Sequence, residues 1–184
     1  MTMKVNPNNL TTPEVRFSYL FVMEPKTDDY GNEKWQSCIL LDKSNKAEKA
    51  RWDAAIKAAI ELGIEKKKFT RAQIPILKLP IRDGDAEIKT ELRKPGQGYE
   101  NCWFVNASSY NAVDVVKRQG DVVVPIEDKK EVYSGMMGRA IISFYPYNTN
   151  SVGIAVGLNG VYKTRDFDRL DGRINAAKAF AGIA

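Results

Sequence analysis

The longest β-like run in the chain, Arg139 to Tyr147, constrains the fold more than any other segment. Ala140, Ile142 and Phe144 alternate along it with residues that are larger or more polar. Because successive side chains of a strand point to opposite faces, this alternation puts one apolar face against a core. The opposite face carries an arginine at one end and a tyrosine near the other. The segment is therefore predicted to be a strand with one buried face and one functional face.

A second apolar run follows, from Val152 to Tyr162, and it ends in two cations, Lys163 and Arg165. Asn159-Gly160 lies inside it. Asn-Gly is the strongest short signal for a tight hairpin turn, but the same pair also suits a bulge in a continuous strand. The spacing is compatible with both.

Three earlier segments also have the composition of strands: Val15–Met23, Trp35–Leu41 and Tyr99–Ser109. The first alternates Val15, Phe17, Tyr19 and Phe21 with the residues between them. In the third, Trp103 and Phe104 fall on opposite faces, and the pattern does not decide which of them faces inward.

The clearest helix covers about residues 45–62, with Asn45 as its N-cap and Gly63 as its C-terminal stop. Trp52 belongs to its apolar stripe and is expected in the core, while Asp53 and Lys57 are placed to pair. The basic run that follows, EKKKFTR, is typical of a solvated loop.

Five strands with one helix inserted after the second predict a mainly β fold, a small five-stranded barrel with long loops. One domain over residues 15–172 accounts for most of the chain. Residues 1–14 are polar and are predicted to form a flexible N-terminal arm, and 173–184 a C-terminal extension.

Composition narrows the classes of function. The 184 residues contain no histidine, so the commonest general base and the usual zinc ligand are both missing. The net charge of +5 points to an anionic partner. No apolar run approaches the roughly 20 residues of a membrane span, and the N-terminus lacks a secretory signal, which together predict a cytoplasmic protein. Cys38 and Cys102 are expected to be free thiols.

One cluster could carry catalysis. Asp83, Asp85, Glu87 and Lys89 resemble in type the ligand set of some Mg²⁺-dependent nucleases. Those sites need the acids on separate strands that converge on the metal, whereas these acids follow one another in what reads as a turn. A nuclease is therefore an alternative, and no metal or cofactor is expected.

The positive signal is a set of aromatic residues interleaved with cations. Unpaired bases stack on aromatic rings whatever their sequence, and lysine or arginine neutralises the phosphates. Since aromatic residues on strands are usually core, about half of the set is expected to be structural. The candidate residues for binding single-stranded nucleic acid are Arg93, Lys94, Tyr99, Trp103, Phe104, Arg139, Tyr145, Tyr147, Tyr162, Lys163 and Arg165, with Tyr145 and Tyr147 the strongest.

The blocks YSGMMGRAIISFYPYN, GIAVGLNGVYKTRD and YENCWFVNASS resemble a family of tailed-bacteriophage single-stranded DNA-binding proteins, over most of residues 12–172. The resemblance implies an OB-fold that coats single-stranded DNA during replication and recombination, without catalysis, in the infected bacterial cell. It also favours a bulge at Asn159-Gly160. A structural or assembly protein of the phage is a further alternative.

Such phage proteins typically end in an acidic tail that recruits replication partners and competes with DNA. This sequence ends NAAKAFAGIA, with no acid after Asp171. Either this member has no such tail or the sequence is shortened. We favour the second hypothesis, in which the missing acidic tail contacts phage or host replication proteins. The sequence leaves monomer and dimer both open.

Overall fold

The computed structural model describes residues 9–174 and 176–183 of the chain. The strands are β1 Asn9–Thr11, β2 Val15–Thr27, β3 Glu33–Asp42, β4 Arg82–Asp83, β5 Cys102–Ser109, β6 Asp114–Gln119, β7 Val122–Pro125, β8 Met137–Tyr147 and β9 Gly153–Arg165. The α-helices are α1 Lys46–Glu65, α2 Gly84–Lys89 and α3 Ala176–Phe180. Short 3₁₀ turns lie at Arg71–Ile76 and Lys129–Glu131. In this part of the chain every helix is too short or too polar to cross a bilayer.

Five strands form a closed ring. β2 pairs with β3, β3 with β5, β5 with β9, β9 with β8, and β8 returns to β2. The contact between β5 and β9 is parallel and the others are antiparallel. Numbered along the chain, the ring strands follow the order 1-2-3-5-4-1. The predicted mainly β, OB-like architecture with a helix inserted after the second strand is confirmed.

The core fills this ring. The alternation predicted for β8 is confirmed, because Ala140, Ile142 and Phe144 are all buried. They pack in one cluster with residues from β2, β3, β5, β9 and α1. Trp52 of α1 is fully buried, and its aromatic ring lies 6.5 Å from that of Phe144. The inserted helix is therefore part of the core.

The predicted flexible arm is wrong for residues 9–14, and residues 1–8 lie outside the described part. β1 pairs with β8, so these residues extend the sheet. Thr12 is buried, and its hydroxyl accepts a hydrogen bond from the Ala140 amide at 2.9 Å. Glu14 accepts hydrogen bonds from Thr164 and Arg165. These contacts join the segment to the far end of the chain.

Helix α1 begins as predicted, with the Asn45 side chain accepting from the Glu48 amide at 3.0 Å. Its other details differ. Asp53 pairs with Lys49 and not with Lys57. Gly63 does not stop the helix, which continues to Glu65. The glycine is required by packing, since a Cβ there would lie 2.3 Å from Cζ of Phe69 and 2.8 Å from Cβ of Pro146.

We expect Gly63→Ala to lower the free energy of unfolding by about 1–3 kcal/mol, because the added methyl group collides with Phe69 and with Pro146. Helix propensity alone predicts the opposite sign, a gain of up to about 1 kcal/mol. Chemical denaturation decides between them. Gly182→Ala is the control, since no atom of the described residues lies within 4 Å of its added Cβ. A stabilised Gly63→Ala protein would contradict the packing described.

Shifts in strand register interrupt the ring strands at several points, and two of them bear on the site. Ile141 pairs with Gly160 and Ile142 with Leu158, so Asn159 is the extra residue in a continuous β9. Of the two alternatives left open by the sequence, the bulge is correct. In β2 the pairing shifts between Ser18 and Phe21.

The segments between β3 and β8 are more ordered than the sequence predicts. Asp83, expected in a turn, caps α2 by accepting from the Ala86 amide at 3.1 Å. Gly84 lets α2 pack closely against the backbone of Tyr99, because a Cβ there would lie 2.0 Å from the Tyr99 carbonyl oxygen. After β5, strands β6 and β7 form a hairpin, which joins the sheet through a parallel contact between β6 and β9.

Candidate nucleic-acid interface

A groove of about 680 Å³ lies on the outer face of β3, β5 and β9, at the end of β8. We call this cavity the tyrosine groove. Its aromatic and cationic residues come from separate parts of the chain. They are Tyr19, Lys34, Lys78, Arg82, Tyr110, Tyr145 and Tyr147.

The floor of the groove follows from strand register. Gln36 pairs with Ser108 and Cys38 with Asn106, so their side chains form rows across the outer face of β3 and β5. The next row, Leu40 and Phe104, is covered by the segment that carries α2 and Tyr99. One end of the face is thus apolar and covered, and the other end is polar and open.

Tyr145 and Tyr147 project from the outer face of β8. Tyr145 is 42% exposed, and its pKa is raised by partial burial and then by the neighbouring phenols of Tyr110 and Tyr147. The phenol is therefore neutral at physiological pH and does not repel phosphate. Gly153 keeps space beside Tyr147, since a Cβ there would lie 2.8 Å from the phenol oxygen.

Tyr19 and Tyr110 also line the groove, although neither was predicted from the sequence. The alternation of the first strand puts Tyr19 with Val15 and Phe17, which are buried, yet Tyr19 is 51% exposed. The β2 bulge causes this, because Tyr19 takes a φ of 47° and turns outward. Tyr110 follows β5, and the Lys34 ammonium lies 5.4 Å from the centre of its aromatic ring.

Cations border the groove. Within the described residues, Lys34 and Lys78 form no ion pair, so both are available to a phosphate. Backbone hydrogen bonds to Val152 and Ile154 fix Lys78 beside β9. Arg82 lies over the aromatic ring of Phe104 at 4.9 Å and pairs with Glu87.

Two of the sequence-predicted binding residues need correction. Tyr99 and Phe104 are fully buried, in edge-to-face contact with their aromatic rings 4.9 Å apart. Arg93 covers them, at 4.0 Å from the ring of Tyr99 and 4.5 Å from that of Phe104, and it pairs with Glu87. Neither aromatic ring offers a face to a base, so this cluster supports the groove from behind.

Other predicted residues lie outside the groove. Trp103 is half-buried against the central core, with the Lys49 ammonium 5.3 Å above its aromatic ring, and Lys94 is exposed in the loop after α2. Arg139 and Tyr162 line a separate hollow of about 760 Å³ between β6, β8 and β9.

The two cations at the end of β9 are engaged in ion pairs. Lys163 pairs with Asp166 at 2.7 Å and donates to the Glu131 carbonyl at 2.5 Å. Arg165 pairs with Glu14 at 3.0 Å. Both cations tie β9 to neighbouring segments. Of the binding residues predicted from the sequence, Tyr145 and Tyr147 are the two that line the groove.

The acids of the nuclease alternative are also paired. Lys43 bridges Asp83 and Asp85, each at 2.7 Å, and its hydrogen bonds lower the pKa of both carboxyls. Glu87 is buried between Arg82 and Arg93. Among the described residues no three carboxylate or thiol side chains are arranged to hold a metal ion. The cluster links β4 and α2 to the strand ring.

The ring order defines an OB-type protein, and the tyrosine groove lies on the face formed by the second and third strands of the ring. The sequence matches the model of a family described as "Enterobacter phage Enc34, ssDNA-binding protein" over residues 8–184. The chain belongs to this family.

Individual proteins and solved structures are also similar to this chain. Protein p50 of Acyrthosiphon pisum secondary endosymbiont phage 1 is 27% identical over 175 residues, covering 92% of this chain and 88% of the relative. The fold is similar to that of the single-stranded DNA-binding protein from bacteriophage Enc34 in complex with ssDNA, with a TM-score of 0.70, 22% identity, and 88% and 89% of the two chains covered. It is also similar to gp2.5, the single-stranded DNA-binding protein of bacteriophage T7, with a TM-score of 0.59, 14% identity, and 96% and 94% covered.

Proposed function

We propose that this protein binds single-stranded DNA without sequence preference, in the tyrosine groove, and coats it during phage replication and recombination. One observation carries the proposal: Tyr19, Tyr110, Tyr145 and Tyr147 converge with unpaired lysines on the face where OB-folds take oligonucleotides. Family membership and the DNA-bound Enc34 relative support it.

The aromatic side chains of the groove suit unpaired bases better than double-stranded DNA. Each base has a π-face, and stacking on an aromatic side chain contributes about 1–3 kcal/mol whatever the base. A duplex keeps these faces stacked on one another, so four phenol rings favour an unpaired strand. Lys34 and Lys78 supply the phosphate contacts that make binding depend on salt.

The test is a titration of fluorescently labelled oligo(dT), followed by anisotropy at two salt concentrations, with a duplex of equal length as competitor. We expect tight binding of the single strand, weak competition by duplex, and a log–log salt slope of about −0.7 for each phosphate neutralised. Absence of binding at low salt, or equal competition by duplex, would contradict the proposal.

We assign the protein no catalytic step. The carboxylates that a metal-dependent nuclease would use are held by Lys43, Arg82 and Arg93. Prolonged incubation with Mg²⁺ or Mn²⁺ is expected to leave DNA intact.

Contacts with replication proteins of the phage or the host remain a prediction. Monomer and dimer remain alternatives. Size-exclusion chromatography with light scattering measures the oligomeric state.

A further inference from the structure

A second recess adjoins the tyrosine groove at the end of helix α1. It has a volume of about 400 Å³, and we call it the lysine recess. Lys66 and Lys68 line one side, and Ser143, Tyr145 and Asn159 line the other. Its lysines belong to the basic run after the helix, for which the sequence analysis predicted only a solvated loop.

The loop is held firmly in place. Lys67 takes a left-handed conformation with a φ of 56°, which ends the helix, and the Lys68 amide donates to the Gly63 carbonyl at 2.8 Å. Phe69 is buried and presses on Gly63, which also faces Pro146. Because Pro146 lies between Tyr145 and Tyr147, this contact fixes the two lysines beside the groove tyrosines.

The lysines of the recess carry free charge. Lys66 and Lys68 are exposed, and no acid of the described residues pairs with either. Their neighbours differ: Arg71 pairs with Glu61 at 2.9 Å, and Lys49 with Asp53 at 2.8 Å. Two uncompensated cations near the polar side chains of Ser143 and Asn159 suit phosphate oxygens.

The recess and the groove adjoin at Tyr145. Tyr145 lines both, so a base stacked on its aromatic ring would have its backbone at the boundary between them. Further along β8, Ile141 and Asn159 line both the recess and the hollow that contains Arg139. Groove, recess and hollow thus adjoin one another along β8.

We propose that single-stranded DNA leaving the tyrosine groove over Tyr145 runs through the lysine recess, where Lys66 and Lys68 neutralise successive phosphates. This rests on the proposed function of the groove. The recess lengthens the binding site past the face formed by β3 and β5. A strand too short to pass Tyr145 gains nothing from it.

The test compares Lys66→Gln/Lys68→Gln with the control Lys46→Gln/Lys57→Gln. The control removes the same charge from two exposed positions on helix α1 that line neither cavity. Affinity is measured for oligo(dT) of about 4 to 16 nucleotides, the usual range of OB-fold sites. For the recess variant we expect unchanged affinity for the shortest strands, and about tenfold weaker binding of long ones with a salt slope shallower by about 1.4.

The control variant should bind all lengths like the wild type. Equal losses in both variants at every length, or no loss in the recess variant, would overturn the inference and leave the groove proposal intact. Wild-type protein that binds no strand at all would instead refute the proposed function. If Lys66 and Lys68 only stabilised the end of helix α1, the recess variant would have a lower Tm, and its loss of affinity would not depend on strand length. Thermal unfolding of the variants measures this Tm.

Discussion

Replacing Tyr145 and Tyr147 together by alanine is expected to weaken binding of oligo(dT) by roughly thirtyfold or more. Each aromatic ring contributes about 1–3 kcal/mol by stacking, so the pair contributes about 2 kcal/mol at the least. The two side chains project from the outer face of β8, and they line the same groove as Tyr19 and Tyr110. Anisotropy titrations at fixed salt measure the loss.

The matched control is Tyr145→Phe/Tyr147→Phe, which keeps both aromatic rings and removes only the hydroxyl groups. We expect its affinity to stay close to that of the wild type. The salt slope of the alanine variant should also be unchanged, because no cation has been removed. Equal losses in the alanine and phenylalanine variants would show that stacking is not the source of the affinity.

The largest effect on stability is expected at Trp52, where alanine should lower the free energy of unfolding by about 3–5 kcal/mol. The side chain is fully buried against Phe144, and its indole N–H donates to Glu48 at 2.9 Å. Its removal leaves a cavity between the inserted helix and the strand ring. Urea denaturation followed by circular dichroism measures the change.

Trp52→Phe separates the two contributions, since it keeps an aromatic ring and loses the hydrogen bond. Glu48 retains Arg51 as a partner at 2.7 Å, so this variant should be less destabilised than the alanine variant. Lys57→Ala, on the exposed side of the same helix, is expected to change stability by no more than about 0.5 kcal/mol. A Trp52→Ala protein as stable as this control would show that α1 is not part of the core.

Periodicity along the chain predicted the parts of the fold that depend on local pattern. Ala140, Ile142 and Phe144 repeat at the spacing of a strand, and burial follows from that spacing alone. The start of α1 was also predictable, because Asn45 caps it through a residue three positions away. The position of Tyr145 on the outer face follows from the same alternation.

The remaining features depend on contacts between distant residues. A bulge reverses the facing of Tyr19, and pairing with β3 decides where the bulge falls. The alternation of β5 left open whether Trp103 or Phe104 faces outward. Phe104 does, but the segment around Tyr99 covers it. Arg165 is paired with Glu14, which lies 151 residues earlier in the chain. No local pattern contains this information.

Photochemical cross-linking identifies the residues that contact the bases of bound DNA. Oligo(dT) carrying photoreactive bases would be irradiated in complex with the protein, and the modified residues identified by mass spectrometry. We expect cross-links at Tyr19, Tyr110, Tyr145 and Tyr147, which line one groove. Cross-links confined to the surface of β6, β7 and the end of β9, with none at these tyrosines, would contradict this expectation.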